Sequence, residues 1–95
     1  MTEVESAGPK PKILLVEPDP AWQHLAVAAL EERGLVVVVP ASAAAALATL
    51  ASTAPDVVLL GVDSEAGLRS CSEFRRAIGE RPVPIVVMSL SLIHI

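Results

Sequence analysis

Residues 55–67, PDVVLLGVDSEAG, carry an apolar run into a turn where chemistry is expected. Val57-Val58-Leu59-Leu60 shows no polar alternation, which is the pattern of a strand covered on both faces. The turn that leaves such a strand is where parallel α/β sheets gather their reactive groups. A carboxylate placed there can serve as a nucleophile. The chain puts Gly61 at the strand's end and its carboxylate, Asp63, two residues later. Other reactive side chains are sparse. Cys71 is the single cysteine, so an internal disulfide cannot form, which fits a reducing cytosol. With one cysteine and two scattered histidines, a zinc site has no ligand set. His24 has no carboxylate or second histidine at i±4 and reads as a solvent-facing helix residue. Cys71 falls on an apolar helical stripe and reads as a small core residue rather than a reactive thiol. Arg75 and Arg76 read as a solvated face.

The elements that must position these groups follow from the apolar pattern. Residues 1–11, with their acids and prolines, read as a disordered arm. Lys12–Val16 is a short apolar run suited to a buried strand, and Asp19-Pro20 then supplies an N-cap acceptor and a proline for the first helical position. Trp22, Leu25, Ala26, Ala29 and Leu30 fall at helical spacing and are expected to face the core, with Gly34 as the left-handed residue that ends the helix. Leu35–Val39 is a second β-branched run closed by Pro40. Ser42 can cap an alanine-rich helix reaching about Ala51, with Leu47 and Leu50 as its core edge. Pro55-Asp56 opens the third strand. A third helix is expected from about Ala66 to Ile78, with Leu68, Cys71, Phe74 or Arg75, and Ile78 at helical spacing, ended by Gly79. Pro84 introduces a fourth strand, Ile85–Met88. Strict alternation of strands and helices with short links implies right-handed crossovers and a parallel sheet with helices on both faces.

The bulk composition narrows the function classes. Ninety-five residues make one small domain, and its 53% hydrophobic content includes only 2% aromatic residues, so the core rests on alanine, valine and leucine. A net charge of −4 gives no reason to seek nucleic acid or anionic lipid. The longest apolar runs are far too short to span a bilayer, and the first dozen residues lack the apolar stretch of a secretory signal. A cytoplasmic location is therefore expected, without direct contact with nucleic acid or membrane.

Four stretches, in order and at the right intervals, resemble the receiver domains of bacterial response regulators in two-component phosphorelays. KILLVEPDP is similar to that family's opening strand, which ends in acids followed by proline. LATLASTAPDVVLL resembles its second helix, Pro-Asp corner and phosphoacceptor strand. GLRSCSEFRR looks like the glycine and third helix that follow, and VPIVVMS is similar to the fourth strand with its terminal hydroxyl. The match runs from about Lys12 to Ser89. The resemblance implies a flavodoxin-like doubly wound sheet ordered 2-1-3-4-5, of which this chain supplies β-α-β-α-β-α-β. It also implies a signalling domain rather than an enzyme. In the family an aspartate ending the third strand accepts a phosphoryl group, acids ending the first strand hold Mg²⁺, a hydroxyl ends the fourth strand, and a lysine ends the fifth.

Carried over position by position, this chain keeps little of that chemistry. Glu17 matches the first acid, but Pro18 stands at the more important metal-ligand position and offers neither a side-chain oxygen nor an N–H. Gly61 stands at the nucleophile's position. Ser89 matches the switch hydroxyl, and the lysine has no counterpart. Asp19 matches a position often acidic in the family, although a helix cap explains it equally well. From Gly61 to Gly67 the loop is two residues shorter than the family's usual spacing, so Asp63 is the alternative phosphoacceptor; the structural alternative is Asp63 or Ser64 capping the next helix. The expected function is a degenerate receiver that does not depend on phosphorylation, binds no cofactor, and acts by contact with a protein partner, a histidine kinase or an output domain. The competing function is an active receiver using Asp63 with Mg²⁺. A small flavodoxin-like enzyme or nucleotide binder is disfavoured, because no Gly-rich loop follows Val16 or Leu60 and no nucleophile–base pair is identifiable. Residues 90–95, LSLIHI, depart from the family pattern and match one reading frame of a transposon end used in sequencing-library preparation. They are expected to be a non-native tail, so His94 carries no functional weight. A chain lacking the fifth strand and its helices is expected to be poorly stable or to aggregate.

Overall fold

The computed structural model describes residues 10–61 and 65–88. In chain order the elements are β1 (Lys12–Val16), α1 (Pro20–Glu32), β2 (Val36–Val38), α2 (Ala43–Ala48), α3 (Leu50–Thr53), β3 (Val57–Gly61), α4 (Glu65–Ile78) and β4 (Ile85–Met88). The four strands form one parallel sheet in the order β2-β1-β3-β4. This is the expected flavodoxin-like arrangement as far as the fourth strand. The non-alternating runs of β1 and β3 form the central strands, covered on both faces, whereas the equally non-alternating β2 and β4 lie at the edges. β1 is buried along Ile13–Val16, and in β3 Val58, Leu60 and Gly61 are buried.

Register decides which residues meet. Leu14 lies beside Val58, and Val16 beside Leu60. These four share one face of the sheet with Ala46, Leu50, Phe74 and Ile78, forming the main core cluster. Phe74, not Arg75, is the inward residue of α4, and it is fully buried. Cys71 is half-buried against the same cluster, as expected for a small packing residue, while Arg75 and Arg76 are exposed. Ile13 and Leu15 point to the opposite face, the side along which α1 runs beside β2.

The helix ends follow local rules. Asp19 Oδ1 accepts the Ala21 N–H at 2.9 Å, and Pro20 is the first helical residue of α1. At the other end Leu35 donates its N–H to Leu30 O at 3.2 Å and Gly34 donates to Glu31 O at 3.0 Å, with Gly34 at φ +84°. That pair of bonds is a Schellman closure, and it needs a left-handed residue. It also spends the Leu35 N–H on the helix, so β2 begins at Val36 rather than Leu35.

Two expectations about helices are corrected. Trp22 is 43% and Leu25 61% exposed, Ala29 is exposed as well, and no residue of α1 is fully buried. The inward arc is Gln23, Ala26, Val27 and Leu30, all half-buried. In this helix small apolar residues surround most of the circumference, so periodicity leaves its rotation open. The Gln23 side chain helps set that rotation by donating to the Glu17 carbonyl at 3.2 Å. The second correction concerns the alanine-rich helix, which breaks at Thr49 (φ −105°, ψ 9°) into α2 and α3. Thr49 Oγ1 donates back to Ala45 O at 3.0 Å, a local bond that competes with regular helix and bends it. Ser42 caps α2 as expected, its Oγ accepting the Ala45 N–H at 3.1 Å.

Candidate functional site

The sheet's carboxyl edge is where β1 and β3 deliver their final residues side by side. Val16 pairs with Leu60, so the next residue of each strand, Glu17 and Gly61, stand at the same level. Gly61 is buried and lies beside Met88 of β4. Glu17 is half-buried, and Pro18 and Asp19 are exposed. The structure therefore brings together the first-strand acid and the glycine at the third strand's end. Asp63 and Ser64, which follow β3, and Ser89, which follows β4, lie outside the described residues, as do residues 1–9 and the 90–95 tail with His94.

The Glu17 side chain turns towards Gly61. A Cβ placed on Gly61 would overlap Glu17 Oε1 and would sit 2.7 Å from Cδ and 3.2 Å from Oε2. The carboxylate is held there by the Asp19 backbone N–H, which donates to Oε2 at 3.0 Å. Beside it an open hollow of about 390 Å³ is lined by Val16, Glu17, Pro18, Gln23 and the turn at residues 40–43. Among the described residues its only ionisable lining group is Glu17.

Mg²⁺ needs several well-placed oxygen ligands before it gives up water. Here Pro18 supplies no side-chain oxygen, and Asp19 spends Oδ1 on the α1 cap. Among the described residues no group of three or more His, Cys, Asp or Glu side chains could hold a metal ion. The described donors do not fit the ion.

One contact near the opposite edge of the sheet had only a partial signal in the sequence. Asp56, the acid of the Pro-Asp corner, accepts the Lys12 N–H at 2.7 Å through Oδ2 and donates its own N–H to Lys12 O at 2.8 Å. Lys12 Nζ donates to Thr53 O at 2.9 Å, closing the end of α3. The corner clamps β1 to β3 at their amino ends. It lies away from the carboxyl edge and is a structural device. His24 is exposed on α1, as expected.

Parallel strands in the order 2-1-3-4, helices between them, and an acid and a glycine paired at the carboxyl edge define a receiver-like α/β domain. The solved structure of an aspartate-to-alanine mutant of the response regulator MaeR, bound to sulfate, is similar, with a TM-score of 0.70 and 26% sequence identity. The match covers 86% of this chain and 69% of that one. Compared by sequence, the chain matches no protein-family model and no curated protein. Among the described residues no helix is long and apolar enough to cross a membrane.

Proposed function

We propose that this chain is a receiver-like domain of a two-component signalling protein that works by protein–protein contact and does not accept phosphate. The observation that carries the reading is Gly61 at the end of β3, with a carboxylate from the neighbouring strand lying where a side chain on position 61 would project. Glycine has no side-chain oxygen to attack a phosphoryl group. Pro18 removes a ligand that would bring Mg²⁺ to offset the charge of an incoming phosphate. The likeness to a response regulator supports the two-component context. The partner is a histidine kinase or an output domain, bound in the cytoplasm.

Treatment with acetyl phosphate and Mg²⁺ followed by intact-mass measurement tests this. The expected result is no added phosphoryl group. A stoichiometric, acid-labile adduct mapping to Asp63 would overturn it and establish an active receiver with a displaced acceptor.

A further inference from the structure

Position 61 has no side chain, yet the space beside it is filled. The Glu17 carboxylate lies within 2.7–3.2 Å of where a Cβ would stand, measured to Cδ and Oε2, and Oε1 is nearer still. These separations are below van der Waals contact, so a side chain at 61 and the carboxylate in this place cannot coexist. The carboxylate is tethered by the Asp19 N–H at 3.0 Å, and the Glu17 main chain by Gln23 Nε2 at 3.2 Å, so both anchors come from the start of α1.

We propose that Glu17 and Gly61 form a mutually exclusive pair. The Glu17 carboxylate, from the residue that follows β1, is the resident occupant of the volume that a side chain on β3 would take. This contact holds the carboxyl ends of β1 and β3 in one conformation, which a divalent cation does not change. The inference rests on the reading of position 61 as having no acceptor, and it explains what fills the place. Gly61 is not in the left-handed region, unlike Gly34 and Gly79, so backbone conformation does not require glycine there. Space requires it, and among the described residues the three atoms nearest that Cβ all belong to Glu17. The sign of the Gly61→Ala effect therefore depends on position 17. With Glu17 in place, alanine expels the carboxylate and breaks its bond to the Asp19 N–H. Without that carboxylate, alanine fits a strand interior and restricts the unfolded chain, which is neutral or stabilising.

The test is a cycle of four chains: the parent, Glu17→Ala, Gly61→Ala and the double variant, compared by thermal melting and by amide NMR spectra. Gly61→Ala is expected to lower Tm by roughly 4–8 °C in the parent, and to leave it unchanged or raise it in the Glu17→Ala background. The Asp19 amide resonance should move in Gly61→Ala in the same direction as in Glu17→Ala. Millimolar Mg²⁺ added to the parent should leave the amides of residues 17 and 61 in place. Equal Tm changes in both backgrounds, an unmoved Asp19 amide, or saturable Mg²⁺ shifts at both residues would overturn the proposal. If Gly61→Ala alone does not fold, a folded double variant supports it and an unfolded one overturns it. None of these readouts uses phosphate. A phosphoryl adduct would overturn the functional reading and leave this pairing standing.

Discussion

Pro18 and Gly61 flank the Glu17 carboxylate, and neither offers a side-chain oxygen. Gly61 also leaves a space into which Glu17 turns. Mg²⁺ is therefore expected to bind no better than at millimolar concentration, measured by calorimetry; submillimolar affinity would contradict the donor count. Rebuilding the pair as Pro18→Asp with Gly61→Asp should restore submillimolar binding. The structure adds a condition, because an aspartate at 61 must first displace the Glu17 carboxylate from its place against the strand. Asp19 N–H loses its acceptor in that rearrangement, so the rebuilt chain should bind metal while melting lower than the parent. A rebuilt chain that keeps the Asp19 amide resonance of the parent would show that Glu17 had not moved.

At the scale of elements, short caps and one aromatic side chain do most of the positioning. Ser42→Ala removes the acceptor of the Ala45 N–H and is expected to cost about 1 kcal/mol in urea denaturation. Gly34→Ala puts a Cβ at φ +84°, where nothing lies within 4 Å of it, so its penalty of about 1 kcal/mol comes from backbone strain and not from a clash. Phe74→Ala empties the centre of the α4–sheet contact and is expected to cost about 3–5 kcal/mol, a large share of the stability of so small a domain. Caps and helix ends were legible because each is a local event: Asp19-Pro20, Gly34, Ser42 and Gly79 act on residues close in sequence. The break at Thr49 was hidden by propensity, since the alanine run argues for continuous helix and only the hydroxyl's return bond to Ala45 opposes it.

For the whole molecule, the concern is uncovered apolar surface. Val86 and Val87 on the β4 edge are 46% and 43% exposed, and Trp22 and Leu25 are exposed on α1. Val36 and Val39 are exposed at the other edge of the sheet, on and just beyond β2. Among the described residues no further strand pairs with β2 or β4, and uncharged edges with exposed valines recruit other strands. Purified at 95 residues, the chain is expected to self-associate as its concentration rises. In light scattering the apparent mass should climb well above 9.9 kDa, and Val36→Lys with Val86→Lys should suppress that climb. An apparent mass that stays at 9.9 kDa across the concentration series would contradict this expectation.

The alternation of strands with helices, the parallel pairing this implies and the absence of a side-chain oxygen at positions 18 and 61 were legible in the sequence alone. The strand order followed from the resemblance to receiver domains. Strands that alternate with helices through short links pair in parallel, and no conformation gives proline or glycine a side-chain oxygen. Rotation of α1 was decided by tertiary structure, because its apolar residues surround the helix and only contact with the sheet and the Gln23–Glu17 bond select the inward arc. The same holds for Glu17. Its type was readable as an acid at the end of a strand, but its direction was not. A carboxylate on three flexible torsions goes where there is room and a backbone N–H to hold it. The Asp19 N–H is local, two residues on, but the room beside Gly61 exists only once β1 lies beside β3.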